Sequence, residues 1–135
     1  MIESTTVRDA MLEFFAGIAA NDADSFDRLV ADDPALLVIG TSPGEWITDR
    51  MRLRKGFETD GYRIVPGPAP RAWEGGELGW FVDEPTFDFP DGVHLSARLT
   101  TILARTGSGW RLLHMHASVG VPDDEVEGLQ ARWAR

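Results

Sequence analysis

Apolar side chains recur at helical spacing early in the chain and at alternate positions late in it. Val7, Met11, Phe14, Phe15 and Ile18 share one face of a 3.6-residue period, which predicts an amphipathic helix of about four turns. Asn21-Asp22 interrupts the pattern, and Asp22 or Asp24 can cap a second short helix carrying Phe26, Leu29 and Val30. Asp33-Pro34 ends that helix, because the residue before a proline is driven out of the α region. Ala35 to Gly40 is an unbroken apolar run of strand length and reads as a buried strand. After the Ser42-Pro43-Gly44 turn, Thr48 is placed to cap a third helix. It runs to about Glu58, buries Met51 and Phe57, and closes at Asp60-Gly61.

From Tyr62 to Val119 the pattern is that of antiparallel sheet. A short strand at Tyr62–Pro66 ends in a proline-rich stretch, and Arg71–Trp73 resumes pairing before Glu74-Gly75-Gly76 turns the chain. Leu78 to Phe89 reads as one long strand, with Pro85 marking a bulge or an edge. Pro90-Asp91-Gly92 makes a hairpin, and Val93–Arg105 and Trp110–Val119 form a second hairpin around Gly107-Ser108-Gly109. Pro122 and Asp123 open a last helix with Val126, Leu129 and Trp133 on one stripe. Helices grouped early and strands grouped late predict an α+β fold rather than alternating α/β.

Length and composition narrow this picture. At 135 residues the chain has the size of a single domain, residues 1–135, with enough apolar residues (43%) to form one core. It has no cysteine, which excludes disulfides, a thiol nucleophile and thiolate metal sites, and fits a reducing compartment. The first residues lack a basic stretch followed by an apolar one, and no segment nears the roughly 20 apolar residues that span a bilayer. The cytoplasm is the expected location. A net charge of −9, with Lys55 the one lysine, argues against nucleic-acid and membrane-surface partners. The basic stretch Arg50-Met51-Arg52-Leu53-Arg54-Lys55 is either the solvated face of a helix or a site for a phosphate or carboxylate.

Ala97-Arg98-Leu99-Thr100-Thr101-Ile102-Leu103 followed by Gly109-Trp110-Arg111-Leu112-Leu113-His114-Met115-His116-Ala117-Ser118 resembles the final hairpin of SnoaL-like proteins in the nuclear-transport-factor-2-like superfamily. The association domain of calcium/calmodulin-dependent kinases ends similarly. Ile39-Gly40-Thr41, with Glu45-Trp46 after it, resembles the same group. The resemblance implies a cone-shaped fold, in which a strongly bent antiparallel sheet wraps around the N-terminal helices to leave a single cavity. It also implies a homodimer and no cofactor. Members include isomerases, cyclases, dehydratases and non-catalytic binding or assembly domains, so the fold does not name a reaction.

Parity sorts the last hairpin into two faces. With the turn centred near Ser108, Ser96, Arg98 and Thr100 share a polar face with Leu112, His114, His116 and Ser118. Ala97, Leu99, Thr101 and Leu103 share the other with Leu113, Met115 and Ala117. Asp83 is expected across from Arg98 or Thr100. If the polar face lines the cavity, Asp83, Arg98, His114 and His116 form an acid–base set suited to proton abstraction beside a carbonyl, dehydration or aldol closure. Otherwise the same residues form a satisfied polar ladder or a dimer interface. His114 and His116 could also grip a metal with Asp83, but no metal is assigned without a clearer third ligand.

In the kinase association domain the cavity-lining parity matches Met115 and Ala117. The resemblance therefore offers Leu99, Thr101, Met115 and Ala117 as ligand-binding residues. Glu45 and Trp46 belong near the cavity mouth of such a fold, Glu45 as an acid–base group and Trp46 as a cap. Phe14 and Phe57 complete the set, as core or as cavity wall. Two functions follow: a cofactor-free isomerase, cyclase or dehydratase for a small apolar or aromatic molecule, or a non-catalytic ligand-binding or dimerisation domain.

Overall fold

The structure, a computed structural model, describes residues 1–59 and 61–134. Its elements are β1 (Ile2–Glu3), α1 (Thr5–Ala20), α2 (Ala23–Leu29), β2 (Leu37–Ile39), β3 (Trp46–Ile47), α3 (Arg50–Thr59) and β4 (Arg63–Val65). They continue with β5 (Arg71–Gly75), β6 (Leu78–Asp83), β7 (Thr86–Asp88), β8 (His94–Ser96), β9 (Arg98–Thr106), β10 (Gly109–Ser118) and α4 (Asp123–Trp133). The α+β class read from the sequence is the one observed.

Ser4 starts α1 by accepting the Val7 N–H at 3.2 Å, which satisfies one of the orphan donors of a first turn. All five periodic apolar residues of α1 are buried. Between the two predicted caps for α2, Asp22 is the one used: its carboxylate accepts from the N–H groups of Asp24 and Ser25. Asp49, not Thr48, caps α3, accepting from Met51 N–H at 2.9 Å. Met51, six residues from Phe57, falls on another face and is 65% exposed, while Leu53, four residues from it, packs on the core beside it. The Asp60 half of the predicted stop lies outside the described residues, while Gly61 has the left-handed φ of +64° that a helix end favours. In α4 no residue is buried and Trp133 is 69% exposed, so the predicted stripe does not seat on the core.

Seven strands form the larger sheet in the order β1-β5-β6-β9-β10-β2-β3, and β4-β7-β8 form a smaller one. Both strands read from sequence as long are broken at the same level. Pro85, which has no N–H to give a ladder, separates β6 from β7, and Ala97 separates β8 from β9. Ala97 N–H donates to the Pro85 carbonyl at 3.0 Å, so the two bends are pinned to each other. This shared bend folds the small sheet over and produces the strongly curved wall. One pairing departs from the antiparallel expectation: β2 runs parallel to β10. That is possible because α3 and most of the sheet lie between them in the chain, giving the long connection that parallel strands need.

The core lies between the concave sheet and α1. Phe15 meets Phe81 edge-on at 5.9 Å, and Gly79 lets Val7 approach, since a Cβ there would lie 2.6 Å from a Val7 methyl. Burying each such Phe contributes about 1.5–3 kcal/mol. Among the described residues no helix is long and apolar enough to cross a membrane.

Candidate functional site

The helices do not fill the concave side of the sheet, and a pocket of about 570 Å³ remains. That size suits a small organic ligand. Leu112, Met115 and Ala117 of β10 form its inner wall, with Phe14 of α1 and Phe26 of α2 beside them. Leu53, Gly56 and Phe57 of α3 close one side, and Tyr62, Phe87, Phe89 and Leu95 of the folded-over small sheet close another. Phe57 joins the helical aromatics, its ring centroid 5.7 Å from Phe14 and 5.4 Å from Phe26, while Tyr62 stacks on Phe87 at 6.3 Å. Phe14, Phe26, Phe57 and Met115 are buried, whereas Thr41, Arg52 and Phe89 are exposed, so the pocket is apolar inside and opens at a polar edge.

Glu45 and Arg52 are the charged residues of the wall. The Glu45 side chain folds back on its own hairpin, accepting the Ser42 N–H at 3.3 Å. It lies over Gly40, where any Cβ would overlap the carboxylate. The neighbours of Arg52 on α3 have other work. Arg50 donates to the carbonyls of Ala31 and Val30, covering the end of α2, and Arg54 grips both carboxylate oxygens of Asp27 at 3.0 and 3.1 Å. The Arg54 hydrogen bonds hold the Asp27 carboxyl below its ordinary range, and Asp27 in turn raises Arg54. The backbone N–H of Arg52 donates to Asp49, but its guanidinium has no hydrogen bond or ion pair among the described residues.

The predicted acid–base set is not brought together. Asp83 pairs with Leu99, not with Arg98 or Thr100, so it faces the concave side while Arg98, His114 and His116 face outward. The cause is a one-residue difference in register, which in a strand reverses the face. Asp83 is 7% exposed and accepts from the N–H groups of Gly67 at 3.0 Å and Glu84 at 2.9 Å, tying the proline-rich loop to the bend. His114 donates from Nδ1 to the Leu37 carbonyl at 2.9 Å; His116 and Arg98 are exposed. The parity itself holds only in part. From His114 to Ser118 even residues pair with even ones, but a bulge between Leu112 and His114 reverses the order before it. Leu112, assigned to the polar face, is therefore buried in the pocket wall, and Leu113 is the extra residue.

Of the expected ligand-binding residues, Phe14, Glu45, Phe57, Met115 and Ala117 line the pocket. Leu99 and Thr101 are core residues outside it, and Trp46 is 65% exposed, pointing away from the mouth that it was expected to cap. Ile47, its neighbour on β3, lines the pocket in its place. Sequence reading also missed Tyr62 and Phe87, and offered Arg52 only within a basic stretch that could hold a phosphate or carboxylate. The pairs Arg52/Gly56 and Leu53/Phe57, each four apart, are the signal that could have marked the pocket face of α3.

The convex face of the sheet, polar at Arg98, Thr100 and His116, also carries an apolar row. Register runs a row across it from Trp73 through Trp80 and Ile102 to His114 and Leu37, and the two indoles stack at 4.5 Å.

The profile of the SnoaL-like domain family matches residues 7–122. No curated protein matches the chain. Among solved structures, a nuclear transport factor 2-like superfamily protein from Salmonella enterica serovar Typhimurium superposes with a TM-score of 0.72 at 17% identity, covering 87% of this chain and 90% of that one. An uncharacterised protein with a cystatin-like fold from Caulobacter vibrioides gives 0.69 at 16% identity over 95% and 96%. A putative calcium/calmodulin-dependent protein kinase type II association domain from Thiobacillus denitrificans gives 0.64 at 18% over 86% and 96%. At these identities the likeness is one of fold.

Proposed function

The chain belongs to the SnoaL-like domain family, and from that premise we propose that residues 1–135 act as one cytoplasmic pocket domain that binds a small apolar or aromatic molecule. The observation that carries this reading is the pocket itself, with six aromatic rings in its wall and a buried apolar interior. A two-ring ligand that leaves roughly 250 Å² of apolar surface inside gains about 6 kcal/mol from burial. That corresponds to a dissociation constant of about 40 µM before the cost of association, so binding between about 40 µM and a few millimolar is supported.

A fluorescent neutral probe, N-phenyl-1-naphthylamine, tests the reading by titration. Saturable binding in that range is expected, weakened about tenfold by Ile47→Trp, which puts a bulky ring into the wall from a half-buried edge strand. No saturation, or no effect of the substitution, would defeat it.

The isomerase, cyclase or dehydratase reading retains one acid–base group at this pocket, Glu45, since Asp83 and the histidines lie elsewhere. The dimerisation reading is favoured by the convex face, where Trp80, Ile102 and Trp46 are exposed beside His116 and Arg98. In this proposal a second copy of the chain covers that face, and the histidines serve there as polar contacts.

A further inference from the structure

We propose that the natural ligand is an acid: an apolar or aromatic body held inside the pocket and one anionic group, such as a carboxylate, held at the mouth by Arg52. This rests on the pocket reading and narrows it to a chemical class.

Three arginines fall within five residues of α3, and two are consumed by the fold. Arg50 covers the α2 carbonyls and Arg54 is locked on Asp27. Arg52 alone of the three lines the pocket, and its guanidinium meets no acceptor among the described residues. No ion pair joins it to Glu45, because that carboxylate is turned back onto Gly40 and the Ser42 N–H. The mouth thus presents a cation whose acid partner must come from elsewhere, beside aromatic walls. A guanidinium also offers a planar pair of donors that matches the two oxygens of a carboxylate. Glu45 on the same wall repels a second negative charge, which favours a single anionic group on an otherwise uncharged body.

Two probes that share one scaffold separate the head from the body. 8-Anilino-1-naphthalenesulfonate carries an anionic group, and N-phenyl-1-naphthylamine is the same skeleton without it. In the full-length protein, Arg52→Gln is expected to weaken the sulfonate probe about three- to fivefold and to change the neutral probe less than twofold. Glu45→Gln is expected to move the sulfonate probe the other way, tightening it about twofold, and both shifts shrink in 0.5 M salt. Opposite effects from two substitutions on one probe are not produced by a general loosening of the fold. If Arg52→Gln changes both probes alike or neither, the acidic head is wrong while neutral-probe binding keeps the pocket. If the neutral probe fails to bind the unmodified protein, the pocket reading falls and this inference with it.

Discussion

Thr101 is completely buried, and its hydroxyl has no hydrogen-bond partner among the described residues. A desolvated hydroxyl with no partner costs about 1–3 kcal/mol, so Thr101→Val, which keeps the shape, is expected to stabilise the protein by about 1 kcal/mol in a urea titration. A loss of stability instead would mean that the hydroxyl is satisfied by an internal water. Sequence placed Thr101 on the inward parity correctly but could not separate core from cavity wall, because both want buried side chains of the same alternation. The residue-level errors share one cause. Asp83 and Leu112 were placed by counting along strands, and a count fails as soon as register shifts by one. Trp46 was judged by its chemistry, yet a two-residue strand gives its side chain one of two directions, and it took the outer one.

At the scale of elements, α3 is the wall most exposed to change. Phe57 is its one buried residue, and its tether to α2 is largely ionic, through Asp27, Arg54 and Arg50. Asp27 titrates below its ordinary range, first because of the Arg54 hydrogen bond. A carboxyl depressed in the folded state stabilises the fold above its unfolded pKa, and that contribution is lost as pH falls through the folded value. The tether should therefore be intact at neutral pH and released on the acid side, below about pH 4. Thermal melts of wild type and Asp27→Asn check this: the variant should melt lower at pH 7, and the gap should narrow as pH falls below about 4. Parallel curves across that window would sink the idea. The helices and the longer strands were readable from periodicity and punctuation, while the two-residue strands β1 and β3 are too short to carry a period. The split of two long strands into four was not, because a proline signals a break without saying that the strand beyond it joins another sheet.

For the molecule as a whole, the convex face decides between monomer and dimer. Light scattering at micromolar concentration should give about twice the 14.9 kDa chain mass, and Trp80→Glu together with Ile102→Glu should return it to one. A monomeric mass for the unmodified protein would remove the assembly reading and leave the pocket untouched. The curved α+β architecture was legible because helices precede strands and the final hairpin is distinctive; the pocket's charges were not, because they depend on which arginine of three is left over. The bulge at Leu113 bears on both surfaces at once. The extra residue is the half-step that lets Leu112 and Met115, three apart, both face inward. Deleting Leu113 would leave them two apart in a regular strand, so both would keep facing inward and the histidines outward. A single deletion within the regular stretch that follows would instead turn over every residue after it. One position of this strand can thus lose a codon without exchanging a greasy interior for a polar one.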